Sequence, residues 1–144
     1  MKRLTHLIIS NILGIYFFII PAFCQEIIIE GQAKAVNGDT LVLNNLYIRL
    51  NGIAAPELDE KGGTAAKSAM SQLLFDKNIR CSLSVQKSYQ RHIGTCWIGK
   101  LDIAASIIAD GKARDCPRYS LNRYRALETN NSKLLVLPSY CIRK

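Results

Sequence analysis

The sequence lacks several patterns that define common protein classes. None of its five cysteines forms a C-x-x-C pair, the spacing needed by zinc sites and dithiol redox centres, so neither is expected. There are two histidines, and no metal or nucleophilic role is indicated for His92. The sequence has no internal repeat or low-complexity segment, which excludes a repeat array. The N-terminal apolar stretch, interrupted by Ser10 and Asn11, is too short for a membrane span of about 20 residues.

The N-terminus has the pattern of a secretory signal peptide. Lys2 and Arg3 precede an apolar segment that ends at Pro21, and small residues follow it. We expect residues 1–24 to be removed, leaving a domain of residues 25–144 in a secreted or periplasmic protein with no stable membrane partner. Acylation of Cys24 is an alternative, disfavoured by the bulky Phe23, and an uncleaved anchor is another.

Length and charge narrow the class further. A chain of 144 residues suits one domain. Its net charge is +8, and loss of the two basic residues in the signal peptide leaves +6. Such a charge favours polyanionic partners such as nucleic acid, although many exported proteins are basic for other reasons.

Four cysteines remain after Cys24, and in an exported chain an even number indicates two disulfides. Two predicted strands, 79–85 and 94–98, flank a loop at 86–93. If this hairpin is centred near Ser88 and Tyr89, Cys81 lies opposite Cys96 and within disulfide reach. Elimination then pairs Cys116 with Cys141, although four cysteines allow three connectivities.

Hydrophobic patterning predicts a β-rich α+β fold. Strands are expected at 26–36, 40–43 and 46–50, then a helix over 65–75 with Thr64 as its N-cap, then the two strands of the hairpin. A second helix is expected at 102–109 and a third at 123–129. This order matches a five-stranded OB-fold barrel with a helix between strands 3 and 4 and short C-terminal helices, a fold that commonly binds oligonucleotides or sugars.

Four motifs then make a resemblance specific. They are Val36–Leu41, Ile48–Glu57, Tyr89–Arg91 and Asp110–Ala113. In order and approximate spacing, over residues 33–125, the chain resembles the thermonuclease (staphylococcal-nuclease-like) family. The resemblance implies a nuclease that cuts phosphodiester bonds of DNA and RNA with one Ca²⁺.

The resemblance also implies roles for individual residues. Asp39 falls on a calcium-ligating aspartate, and Ala55 on a residue that gives the metal its backbone carbonyl. Glu57 falls on the glutamate that positions or deprotonates water. Arg49 and Arg91 fall on the two phosphate-holding arginines. Hard cations take oxygen ligands, carboxylates accept protons from water, and guanidiniums bind phosphate bidentately.

Departures from the family pattern leave alternatives open. The second calcium-ligating aspartate falls at Ala54, the first residue of the aspartate turn is Asn37, and Gln90 replaces a glycine. A weakly active or inactive OB module that binds nucleic acid or another polyanion is therefore the alternative function, and a domain for protein contacts is a third. By itself, Asn37-Gly38-Asp39 would be only a hairpin turn.

Aromatic residues near basic ones suggest a nucleic-acid surface. Tyr89, Tyr119 and Tyr124 are the candidates, because tyrosine rings beside arginines can stack on single-stranded bases. The same mixture also fits a packed C-terminal segment with a solvated edge.

Overall fold

The computed structural model describes residues 26–142. The predicted signal peptide, residues 1–24, lies outside this range. Within residues 26–142, no helix has the length and apolar character needed to cross a bilayer.

The described chain forms nine short strands and four short α-helices. The strands are β1 (Ile27–Gly31), β2 (Ala33–Ala35), β3 (Thr40–Leu43), β4 (Leu46–Leu50), β5 (Ile53–Ala54), β6 (Ile79–Ser88), β7 (Arg91–Ile98), β8 (Leu101–Asp102) and β9 (Arg114–Asp115). The helices are α1 (Gly63–Leu74), α2 (Ile103–Ala109), α3 (Pro117–Ser120) and α4 (Asn130–Leu134), and 3₁₀ turns occur at Arg125–Leu127 and Ser139–Cys141.

The main sheet runs in the order β1-β6-β7-β4-β3-β2, with β8 paired to β7. The two outer strands, β1 and β2, are separated in the chain only by Gln32, so the sheet curls strongly into a half-barrel. All of its pairings are antiparallel except β4 with β7. This mixed α+β architecture is consistent with an OB-like fold.

Turn chemistry fixes the hairpin that carries the first motifs. Asn44 and Asn45 connect β3 to β4, as predicted, and both have positive φ, 50° and 62°. A two-residue turn of that kind matches the right-handed twist of the flanking strands. The resulting register places Thr40 opposite Arg49, which sets the geometry of the candidate site.

Helix α1 covers one side of the core. Ala66, Met70 and Leu74 are buried at helical spacing and join the cluster formed by the strands. Burial of each larger apolar side chain stabilises the fold by about 1.5–3 kcal/mol. The helix begins at Gly63 with Gly62 in the left-handed conformation, so the prediction of Thr64 as N-cap is wrong.

The β6–β7 hairpin is longer than expected. Its strands run to Ser88 and from Arg91, so the predicted loop at 86–93 is only a two-residue turn at Tyr89 and Gln90. An irregularity between Leu83 and Lys87 shifts the register. The turn lies at Tyr89 and Gln90, one position beyond the expected centre at Ser88 and Tyr89. The register shift compensates for this difference, so Cys81 still lies opposite Cys96.

Both predicted disulfides are confirmed. Cys81 faces Cys96 across β6 and β7 and is bonded to it, with the α-carbons 4.1 Å apart. Cys116 is bonded to Cys141, which ties the C-terminal segment to the residue preceding α3. All four cysteines are buried.

The C-terminal region differs from expectation. The predicted helix over 123–129 is only a short 3₁₀ turn, and Asn130–Ser132, expected to be a loop, begins α4. The hydroxyls of Thr129 and Ser132 form a reciprocal capping box at its start. Each hydroxyl satisfies a backbone N–H that the helix leaves without a partner.

Candidate active site

The turn that carries Asp39 is packed tightly between β5 and α1. A side-chain carbon on Gly38 would lie 2.6 Å from the Cβ atoms of both Ala55 and Ala66, so only glycine fits there. The backbone N–H of Asp39 donates to Oδ1 of Asn37 at 3.1 Å. Asp39 is therefore held rigidly, with 1% of its surface exposed.

Both carboxylate oxygens of Asp39 already have partners. Oδ2 lies 2.5 Å from Nη1 of Arg49 and accepts the backbone N–H of Ala55 at 3.0 Å. Oδ1 accepts the hydroxyl of Thr40 at 3.0 Å. A guanidinium thus neutralises the carboxylate, and the pair is largely buried, with the Arg49 side chain 13% exposed.

Thr40 connects this pair to the second arginine. Its hydroxyl donates to Asp39 and accepts Nη1–H of Arg91 at 3.3 Å. The other terminal nitrogen of Arg91 lies 3.5 Å from Oγ of Ser88, across the end of the hairpin. Sequence reasoning missed Thr40, although it follows Asp39 directly in the first motif.

Glu57 lies in the exposed loop after β5. Its Oε2 accepts Nδ2–H of Asn37 at 3.3 Å, and its backbone N–H donates to Oε2 of Glu60 at 2.9 Å. The amide of Asn37 therefore links the aspartate turn to the glutamate. Glu57 is exposed to solvent, so a water molecule can come within hydrogen-bond reach of its carboxylate.

One cleft of about 540 Å³ brings together the three predicted catalytic residues, whereas the predicted metal ligands Asp39 and Ala55 do not line it. Its walls include Arg49, Glu57, Arg91, Tyr89, Tyr119, Lys87 and Tyr140. Three cationic side chains and three tyrosines therefore surround a single carboxylate. A cleft with this composition favours an anionic ligand that carries flat rings.

The three predicted tyrosines divide into two groups. Tyr89, at the hairpin tip, is 93% exposed and Tyr119 is 49% exposed, and both line the cleft. Tyr124 is 3% exposed and its hydroxyl donates to Oδ2 of Asp102 at 3.0 Å. Burial and the neighbouring Asp102 carboxylate raise the pKa of Tyr124 well above its ordinary value. The expectation that Tyr124 stacks on nucleic acid is thus corrected, because its ring is inside the core.

Tyr140 also lines the cleft, and sequence reasoning missed it. It precedes Cys141, and its hydroxyl lies 3.4 Å from Nη2 of Arg49. The predicted Cys116–Cys141 disulfide was the available signal, because it brings Tyr140 near the segment that carries Tyr119.

Comparison with known proteins identifies the family of this chain. A family model described as "Staphylococcal nuclease homologue" matches residues 47–133. The chain belongs to the staphylococcal nuclease family. The predicted resemblance is therefore confirmed, and it includes the segments that carry Arg49, Glu57 and Arg91.

Two relatives extend the comparison. An "Uncharacterized endonuclease" of Haemophilus influenzae is 27% identical over 118 residues, covering 78% of this chain and 66% of the relative. The "Succinoglycan biosynthesis protein ExoI" of Rhizobium meliloti is 34% identical over 100 residues, covering 60% of this chain and 52% of the relative. The chain thus spans about two thirds of the first relative and about half of the second.

The staphylococcal nuclease family is calcium-dependent in general, so the local donor set must be compared with what calcium requires. Calcium takes six to eight oxygen ligands, usually with several carboxylates. Residues 26–142 contain no cluster of three or more His, Cys, Asp or Glu side chains placed to hold a metal. Asp39 is paired with Arg49, and Ala55 faces it with an N–H donor. This donor set does not fit a calcium ion.

Ala54 contributes to this mismatch. It is 3% exposed and forms a small buried cluster with Cys116 and Cys141, against which Leu137 packs. The side chain at position 54 is therefore surrounded by sulfur and aliphatic carbon. The role predicted for the Ala55 carbonyl as a metal ligand stays a prediction.

Proposed function

We propose that this protein is an exported nuclease that hydrolyses phosphodiester bonds of DNA or RNA. The observation that carries the proposal is the arrangement of Arg49, Arg91 and Glu57 around one cleft. Both arginines contact the same Asp39–Thr40 pair, and both line the cleft together with Glu57. Membership of the nuclease family and an endonuclease-named relative support the same conclusion.

In the proposed reaction, Arg49 and Arg91 bind the phosphate and stabilise the charge that develops on its oxygens. Glu57 accepts a proton from water as the water oxygen bonds to phosphorus. The opposite phosphorus–oxygen bond breaks, and the leaving oxygen takes a proton from solvent. Asp39 acts through Arg49, whose guanidinium it orients, and is thus a positioning residue.

We propose that calcium binds weakly to this protein. The reason is Ala54, which stands where the resemblance places the second metal-binding aspartate. With an apolar side chain there and Asp39 engaged by Arg49, we expect calcium affinity well below that of a site with two carboxylates. Whether cutting requires a metal ion is therefore tested directly in the experiment below.

Ala54 also favours a second candidate function. A chain that keeps the cationic cleft but lacks a metal site can bind nucleic acid or another polyanion without cutting it. Binding requires only Arg49, Arg91, Lys87 and the tyrosines, all of which the cleft retains.

We also propose a domain boundary and a cellular compartment for this protein. We infer that residues 25–144 form one OB-fold domain whose barrel has five strands when β1 and β2 are counted as one. Two disulfides suit an oxidising compartment outside the cytoplasm, and a cleaved signal peptide over residues 1–24 would deliver the chain there.

The experiment incubates the oxidatively folded chain with plasmid DNA, single-stranded DNA and single-stranded RNA. Each substrate is tested with Ca²⁺, with Mg²⁺ and with a chelator. Glu57→Gln should abolish cutting, whereas Asp59→Asn, a nearby exposed carboxylate, should leave it unchanged. Salt-sensitive binding without cutting under any condition would replace the nuclease proposal by the binding function.

A further inference from the structure

The C-terminal segment contributes a wall to the candidate active site. Tyr140 lies in the 3₁₀ turn at Ser139–Cys141 and lines the same cleft as Arg49, Arg91 and Glu57. Tyr140 is partly exposed, with 46% of its surface accessible to solvent. Part of Tyr140 is thus available to a ligand in the cleft.

Tyr140 contacts the phosphate-binding machinery directly. Its hydroxyl lies 3.4 Å from Nη2 of Arg49, and the other terminal nitrogen, Nη1, contacts Asp39. Arg49 is therefore held at both ends of its guanidinium. The contact from the Tyr140 hydroxyl therefore supports the guanidinium from the side opposite its charge contact with Asp39.

A disulfide places Tyr140 there. Cys141, the next residue, is bonded to Cys116 at the start of α3, and both are buried with Ala54. The backbone hydrogen bonds of Cys141 and Ile142 go to Pro138 and Ser139, within the same segment. The disulfide is thus the covalent connection that holds this segment against the body.

We propose that Tyr140, held by the Cys116–Cys141 disulfide, is a substrate-positioning residue that selects single-stranded nucleic acid. Its ring contacts an unpaired base next to the phosphate, while its hydroxyl orients Arg49. The inference rests on the proposed nucleic-acid function of the cleft.

The preference for a single strand follows from the cleft walls. Tyr140, Tyr119 and Tyr89 surround the cationic residues, and each exposes about half of its surface or more. Stacking on tyrosine requires a base whose face is free, which single strands offer and an intact duplex does not. Lys87 and Arg91 supply charge for either form of nucleic acid, so the tyrosines are the selective element.

The test measures binding in a Glu57→Gln background, so that its result does not depend on cleavage. Fluorescence anisotropy gives Kd for a labelled single-stranded DNA oligonucleotide and for the matching duplex. Tyr140→Ala should weaken single-strand binding about five- to one-hundred-fold and duplex binding less than about two-fold. Tyr47→Ala, an equally exposed tyrosine on β4 outside the cleft, should change neither.

Two further variants test the hydroxyl and the disulfide. Tyr140→Phe keeps the ring, so it should retain single-strand affinity; in the active protein it should lower kcat with little change in KM. The double variant Cys116→Ser/Cys141→Ser should reproduce the affinity loss of Tyr140→Ala. If the double variant unfolds, the Tyr140 variants still test the inference, because they leave both disulfides intact.

Unchanged single-strand affinity in Tyr140→Ala, or equal losses for single strand and duplex, would overturn the inference. The proposed nuclease function fails separately, by absence of cutting in the unmodified protein.

Discussion

The guanidinium of Arg49 and the carboxylate of Asp39 form a nearly buried ion pair, 2.5 Å between Nη1 and Oδ2. The carboxylate at the position of a family metal ligand is thus neutralised by a side chain of the same site. The ion pair joins the turn before β3 to β4, because Thr40, the residue after Asp39, is the register partner of Arg49. The stability of the fold therefore depends on this pair, and in the proposed function phosphate binding depends on it as well.

Removal of one partner should destabilise the protein strongly. Asp39→Asn leaves a guanidinium with little access to water and without its counter-charge, so the free energy of unfolding should fall by about 3–5 kcal/mol. Urea denaturation measures it. Glu30→Gln breaks the exposed pair with Arg80 and should cost less than about 1 kcal/mol. Equal losses in the two variants would contradict an important role for the Arg49 pair.

Ala54→Asp should lower the free energy of unfolding, even if it restores a calcium ligand. The new carboxylate would point into the apolar cluster of Cys116, Cys141 and Leu137, where an unpaired charge is poorly solvated. We expect a loss of about 2–4 kcal/mol in calcium-free buffer, by analogy with other buried unpaired polar groups.

Added calcium tests whether Ala54→Asp creates a metal site or only destabilises the fold. If the carboxylate of Ala54→Asp reaches a metal, added Ca²⁺ should raise the melting temperature of this variant and not that of Ala54→Asn, which has the same shape without the charge. Stabilisation of both variants by Ca²⁺ would show that the metal binds elsewhere.

Tyr124 should make the fold sensitive to alkaline pH. Burial and Asp102 raise its pKa in the folded protein, whereas in the unfolded chain it titrates near its ordinary value of about 10. Its stabilising contribution is therefore complete below pH 10. Above that, the unfolded chain releases the proton first, and stability falls by about 1.4 kcal/mol per pH unit until the folded-state pKa is reached.

Tyr124→Phe isolates this contribution from the other titrating groups. The difference in unfolding free energy between wild type and variant, measured by urea denaturation from pH 8 to 11, should be constant below pH 10 and shrink above it. A difference that stays constant throughout would mean that Tyr124 ionises equally in both states.

Local patterns predicted much of this molecule. The alternation in 79–85 and the opposed positions of Cys81 and Cys96 identified the hairpin and its disulfide, because strand periodicity and disulfide reach are local geometry. The failures come from contacts that local patterns do not contain. Tyr124 has basic neighbours in sequence, yet its ring packs in the apolar core, where Asp102, 22 residues away, accepts the hydrogen bond of its hydroxyl.

The site was also only partly predictable. Arg49, Glu57 and Arg91 line one cleft, whereas Asp39 is buried behind it and contacts Arg49. The Arg49–Asp39 ion pair was not foreseen, because the family pattern assigns Asp39 to a metal. Tyr140 was missed because it lies outside the four motifs, although the predicted Cys116–Cys141 disulfide brings it to the cleft.

The charge of the cleft should be measurable through salt. Lys87 is an exposed residue on β6 and lines the cleft beside Arg91, so it is placed to neutralise a phosphate of a bound strand. Each such contact adds about 0.7 to the magnitude of the slope of log K against log salt concentration for a single strand, because a condensed counterion is released. Lys87→Gln should therefore reduce that slope by about 0.7 and weaken binding most at low salt.

Lys34→Gln provides the matched control for this measurement. Lys34 is exposed on β2 and does not line the cleft, so its loss removes the same net charge from the protein without removing a phosphate contact. If the two variants lowered affinity equally and left the slope unchanged, general attraction by the basic protein would explain binding. A smaller slope in Lys87→Gln alone would mean that the strand runs past the end of the β6–β7 hairpin.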